Sequence, residues 1–230
     1  TDSRRCAWRS QRANTTDAQL ETRVPVFPRD PVGASFTATS SIQTARVVPR
    51  RLKCPRSVLN ALVGHGADVR IVPEDLPAAQ FGLFWRFLVE DDPGVDLYLI
   101  RDADSVMNIR ERVAVQAWLT SGRAFHVMRD FPAHSELILA GMWGAHRGNI
   151  GGMRARFTEH VTEGARRLNN KITDQEFLRR EIWPIVRQDV CTHDAWFDFG
   201  DPDRFPDGYE LPGHMHIGQN DAVRKASGAA

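Results

Sequence analysis

The apolar positions of the chain fall into short patches broken by Gly, Pro and charged clusters, and their spacing changes along its length. Before about Cys54 neither the two-residue nor the 3.6-residue period is sustained, and Phe27-Pro28-Arg29-Asp30-Pro31 interrupts any regular element. Short patches such as 35–39 have strand character only locally. Order begins near Arg56. Ser57 is placed to cap a short helix over 58–63 that ends in the glycines around His65, and 69–72 reads as a strand. Phe81, Phe84, Trp85 and Leu88 recur at the spacing of one buried helical face, which predicts a helix over 77–90. Pro93-Gly94 then turns the chain into 95–100, a run of β-formers long enough for one buried strand.

Asn108 followed three residues later by Glu111 is a capping-box pattern, and the helix it opens carries Ala114, Ala117 and Trp118 inward and stops at Gly122. A further strand, 124–128, ends in Arg129-Asp130. Strand, helix and strand at this spacing form a βαβ unit. Residues 138–152 hold five glycines interleaved with Met142 and Trp143, either a close approach to a ligand or a plain glycine-rich turn packed with aromatics. A helix predicted over 173–186 opens with Asp174-Gln175-Glu176 and is bent or ended by Trp183-Pro184. The expectation is an α/β fold with a Rossmann-type, mostly parallel sheet flanked by helices. Residues 1–54 form a poorly ordered extension or a degraded first unit, 55–219 the main domain and 220–230 a flexible tail.

Composition changes this picture in one place. The 230 residues, 42% hydrophobic and 26% charged, suit one soluble α/β domain with a full core. A net charge of +1 gives no global reason to expect nucleic acid or an anionic membrane as partner. Yet residues 1–54 hold ten basic and four acidic residues, a net of +6, against −5 for the remainder. That Arg-rich, acid-poor start also has the composition of an organellar transit peptide. Cys6, Cys54 and Cys191 lack metal-type spacing and read as reduced thiols, and no apolar run reaches transmembrane length. These features point to a cytoplasmic protein.

The candidate chemistry sits where the central strand stops. Arg101-Asp102-Ala103-Asp104-Ser105 puts two carboxylates two residues apart at a strand's carboxyl end, where open α/β sheets bind ligands. Such a pair can offer oxygens to one hard divalent cation, or it can be a solvated turn.

Several residues in order carry a family resemblance. Phe84-Trp85-Arg86-Phe87-Leu88, the apolar strand and Asp102-Ala103-Asp104 resemble the nucleotide-sugar-dependent glycosyltransferases of the GT-A fold. The chain is most similar to the branch containing glycogenin and the lipopolysaccharide galactosyltransferases. Segments 101–105, 125–130 and 139–144 also look like bacterial glycosyltransferase-like proteins. The resemblance covers about Pro55 to Gln219. It implies that Asp102 and Asp104 hold Mn²⁺ or Mg²⁺ on the diphosphate of a nucleoside-diphosphate sugar, and that a late imidazole, His214 or His216, completes the metal shell. It implies further that Arg86 reaches the donor phosphates or braces Asp102, with Gly141 in the donor site. Asp174, Gln175 and Asp130 would contact donor or acceptor sugar near the reacting carbon, the acceptor being a glycan or another hydroxyl compound.

Two other readings compete. A haloacid-dehalogenase-type phosphatase also carries Asp-x-Asp at a strand end, with the first Asp as nucleophile, and would draw on Lys171 and Asp201 or Asp203. A non-catalytic glycosyltransferase-like relic would keep the metal rim without a complete donor site. The residues give plain alternatives as well. Asp174 suits a helix N-terminus, and His126, His134 and a His193–Asp194 pair suit structural roles.

Overall fold

The computed structural model describes residues 22–26, 43–49, 56–72, 75–76, 81–103, 105–166, 174–197, 199, 202–213 and 215–219. Its strands are β1 (Thr22–Val26), β2 (Gln43–Pro49), β3 (Asp68–Val72), β4 (Leu97–Asp102), β5 (Phe125–Arg129), β6 (Met142–His146) and β7 (Val190–Asp194). Its α-helices are α1 (Arg56–Gly64), α2 (Ile109–Ser121), α3 (Met153–Arg166), α4 (Asp174–Phe177) and α5 (Trp183–Val186). The strands form one sheet in the order β3-β2-β1-β4-β6-β5-β7. β2 pairs parallel with β3 and β5 with β7, while the other four pairings are antiparallel. The sheet is therefore mixed rather than mostly parallel. β4 and β5 run the same way around α2, as the βαβ reading requires, but β6 returns between them in the opposite direction.

β6 lies inside the glycine-rich segment, and it owes its place to small residues. A Cβ on Gly144 would stand 2.6 Å from Leu99 Cδ2 and 3.2 Å from Trp118 Cζ3. Glycine thus seats the α2 tryptophan against the sheet. Residues 1–54, read as lacking a convincing strand, supply β1 and β2, with Val47 in register with Arg70. The patch 35–39 lies outside the described residues.

The two-residue alternation of the strands sorts the core onto two faces. Tyr98, Ile100, Phe125, Val127 and Trp143 pack with Phe84, Phe87, Phe157 and Phe177 on one face. Leu97, Leu99 and Cys191 pack with Val115 and Trp118 of α2 on the other. Within the segment predicted as a helix over 77–90, residues 82–84 form a turn that leads into a 3-10 helix, Trp85–Asp91. The segment still buries Phe84, Trp85 and Phe87, with Leu88 half-buried. Asp91 ends it by capping α3, accepting from the amides of Met153 (2.9 Å) and Arg154 (2.8 Å). Neighbouring Glu90 takes the amides of Gly148, Ile150 and Gly151.

Asn108 caps α2 as its pattern predicts, its side chain accepting the Glu111 amide at 2.9 Å, and Gly122 ends the helix with φ 71°. Between α4 and α5 the helix widens into a π-turn, Leu178–Ile182. Pro184 has no N–H to return to the preceding turn, and the wider turn accommodates it. No helix among the described residues is long and apolar enough to cross a membrane.

Candidate functional site at the carboxyl end of β4

The strand order reverses between β1 and β4, and Asp102 ends β4 at that switch. Alternation puts Asp102 on the face of Tyr98 and Ile100, toward the 3-10 helix and α4. Arg86 reaches it from the 3-10 helix. One guanidinium nitrogen donates to Asp102 Oδ1 at 2.5 Å, and the other donates to Asp174 Oδ2. Its Nε is fixed by the Leu83 carbonyl at 3.1 Å. Arg86 and Asp174 are nearly sealed, whereas the Asp102 side chain is 53% exposed. Burial pulls the Arg86 pKa down, but the two carboxylates outweigh it and raise it above its ordinary value. The guanidinium is a fixed positive bridge with one acid held inside and one facing out.

Gly141 and Gln175 complete this group. A Cβ on Gly141 would lie 2.2 Å from Asp102 Oδ2, so no side chain fits there while the carboxylate keeps its place. Gln175 accepts the Ala140 amide at 3.1 Å and thereby ties the start of α4 to that segment. Asp174 Oδ1 accepts the Gln175 amide at 2.9 Å, the local helix-start role expected of it, while its other oxygen takes Arg86. Arg86, Asp102, Gly141, Asp174 and Gln175 are thus brought together from four separate stretches of sequence.

Asp130 and His216 form a second group on the same rim. Asp130 is held by Arg110 Nε at 3.0 Å and by the Ile217 amide at 3.3 Å. Burial pushes its carboxyl above the usual range, against the pull of Arg110, the Ile217 amide and His216. It is occupied and largely buried, so a direct contact with sugar requires its partners to move. His216 stacks on Phe131 with ring centroids 4.3 Å apart, and its Nδ1 lies 2.9 Å from the Ile217 carbonyl. A carbonyl only accepts, so Nδ1 carries the proton and a neutral ring keeps its lone pair on Nε2. The stretch after His216 docks beside the Asp-x-Asp turn. The Ser105 hydroxyl donates to the Gly218 carbonyl at 3.1 Å, and the Val106 amide donates to the Gln219 carbonyl at 3.2 Å. Asp104 and His214 lie outside the described residues.

Other readings are corrected by what their residues touch. His193 and Asp194 do not pair with each other: Asp194 pairs with Arg129 at 2.5 Å, and His193 Nδ1 lies 2.8 Å from His126 Nε2. Asp203 takes the Thr192 amide at 3.1 Å beside β7, while Lys171 and Asp201 lie outside the described residues. An open groove of about 740 Å³ along α3 is lined by Asp91, Gly152, Arg154 and Thr158, and shares no residue with the Asp102 group. Among the described residues, the only three His, Cys, Asp or Glu side chains whose ligand atoms converge within 4.8 Å are His126, Cys191 and His193. Spacing could not find that group, because its members come from two strands more than sixty positions apart.

No family model, curated protein or solved structure matches this chain, so its assignment rests on the geometry of its own residues.

Proposed function

We propose that the chain is a metal-dependent glycosyltransferase of the GT-A type, moving a sugar from a nucleoside-diphosphate sugar to a hydroxyl acceptor. One observation carries the reading: Arg86 bridges Asp102 and Asp174 at the strand-order switch, with Gly141 held clear of the Asp102 carboxylate. Arg86 keeps Asp102 Oδ1 occupied, while Oδ2 of the half-exposed carboxylate lies over Gly141. Asp102 and Asp104, with His214 or His216, would hold Mn²⁺ or Mg²⁺. When bound, that ion offsets the charge that develops on the departing nucleoside diphosphate. A cleared carboxylate and an imidazole with its proton fixed on Nδ1 fit a hard cation that takes oxygen and nitrogen ligands. Gln175 fixes the backbone beside Gly141, and buried Asp174 holds Arg86 in line.

The phosphatase reading loses support from Asp203, whose carboxylate serves the β7 backbone instead of a second acidic pair beside Asp102. The relic reading has a specific observation in its favour. β1 is antiparallel to both β2 and β4, so its amino end, not its carboxyl end, lies beside Asp102. In doubly wound folds the loop leaving the carboxyl end cradles the nucleotide phosphates. Both readings are tested by incubating the chain with Mn²⁺ and a panel of uridine, guanosine and adenosine diphosphate sugars while following nucleoside diphosphate release. Release that Asp102→Asn abolishes supports the transferase. Mn²⁺ binding without release from any donor supports the relic, and neither would end both.

A further inference from the structure

On the opposite face of the sheet from Asp102, under α2, lies a cluster that the proposed chemistry leaves unused. We infer that His126, Cys191 and His193 form a second metal site, selective for a borderline-soft divalent ion of the Zn²⁺ class. All three side chains are buried and come from neighbouring parallel strands, with His126 in register with Cys191 and Met128 with His193. Two imidazoles and a thiolate suit zinc, whereas Mg²⁺ and Mn²⁺ favour carboxylate and water oxygen.

The spacing can be compared with a tetrahedral zinc centre. Usual Zn–N and Zn–S bonds place two nitrogens about 3.3 Å apart and a nitrogen and a sulfur about 3.6 Å apart. Cys191 Sγ and His193 Nδ1 are 3.7 Å apart, already at that separation. His126 Nε2 and His193 Nδ1 are 2.8 Å apart, a hydrogen bond that must lengthen by about 0.5 Å for an ion to enter. The rings are backed on both sides. Trp118 stacks on His126 with centroids 5.1 Å apart, and Phe205 lies 5.3 Å from His193.

A metal ion must displace protons at both kinds of ligand. Burial pushes His193 down to about 4 and His126 well below its ordinary value, so both rings are neutral near pH 7. One of the two facing nitrogens, His126 Nε2 or His193 Nδ1, carries the proton of their 2.8 Å hydrogen bond, so that ring must move its proton to its other nitrogen before both can ligate. Burial and the neighbouring Asp203 push the Cys191 thiol up to about 12, so the ion must displace its proton. The balance is one S–H bond broken, one metal–sulfur bond formed and one proton released. Asp203, the carboxylate that interacts with Cys191, is placed to take that proton.

The test uses the full chain with Cys6→Ser and Cys54→Ser, which leaves Cys191 as its sole thiol, titrated with Co²⁺ as an optical stand-in for zinc. The expected result is a saturable thiolate-to-cobalt charge-transfer band at one ion per chain, bleached by Zn²⁺ and unaffected by excess Mg²⁺. His193→Ala should weaken cobalt binding by at least tenfold, and Asp102→Asn should leave the band unchanged. Absence of the band from the folded sole-thiol protein would overturn the site, as would its persistence at full affinity in His193→Ala. Either failure leaves the Asp102 reading intact, because Cys191, the sole thiol of the tested chain, lies on the other face of the sheet.

Discussion

Arg101 and Asp102 are consecutive residues at the end of one strand, yet alternation sends them to opposite faces and different fates. Arg101 turns under α2 and pairs with Glu111, both side chains being sealed from solvent. Its remaining bonds go to the Ile100 carbonyl (2.6 Å) and the Trp143 carbonyl (3.2 Å). Asp102 turns toward Arg86 and stays half-exposed, with one oxygen tied and a glycine where a neighbouring side chain would crowd it. The first arrangement pins α2 to the sheet and offers nothing to a ligand. The second keeps a charged group at the surface in a fixed position. Burial with internally paired charge marks structure here, and a braced but open charge marks candidate chemistry.

Glu111→Gln leaves Arg101 as an uncompensated buried charge and should cost about 3–5 kcal/mol in urea unfolding. Any activity per folded molecule should be unchanged; a stable variant with altered turnover would erase the distinction. Asp102→Asn should do the reverse. Donor turnover should fall about 10²- to 10³-fold, while unfolding free energy shifts by less than about 1 kcal/mol because the side chain is half in water.

Gly141→Ala sharpens the contrast by moving the carboxylate without removing it. The added methyl must displace Asp102 Oδ2, so turnover should fall about tenfold or more at a stability cost of about 1–2 kcal/mol. Turnover equal to the parent's would show that the position of Asp102 does not matter.

The smallest expected effect concerns pH. Burial holds His146 below its ordinary pKa of 6.5, with Asp189 pulling weakly the other way. The unfolded chain therefore takes up that proton first as pH falls. The contribution is fully present above pH 6.5 and declines below it. His146→Gln should flatten that part of the stability profile, and an unchanged slope would assign it to other groups.

Much of this was legible along the chain, and the failures have physical causes. β4 announces itself because five of its six residues are buried and most are β-formers. The Asn108 cap was readable, but Glu111 does not complete the capping box, because the buried Arg101 guanidinium draws its side chain inward. β6 hides as a glycine-rich turn since its neighbours, not its own propensity, demand small residues. β7, Val-Cys-Thr-His-Asp, lacks an apolar alternation because its buried polar groups find partners on β5 and in Asp203. The ordered series Arg86, Asp102, Gly141, Asp174 and Gln175 could be quoted from sequence. That Arg86 bridges the two carboxylates, with Gly141 against Asp102 and Gln175 on the Ala140 amide, could not.

In the proposed function, Asp102 anchors a divalent ion that carries a nucleoside diphosphate. Isothermal titration of uridine and guanosine diphosphates into the chain, with and without Mn²⁺, tests it most directly. The account predicts saturable binding of one of them only when Mn²⁺ is present, weakened at least about tenfold by Asp102→Asn. Binding that ignores the metal, or that survives Asp102→Asn unchanged, would contradict it.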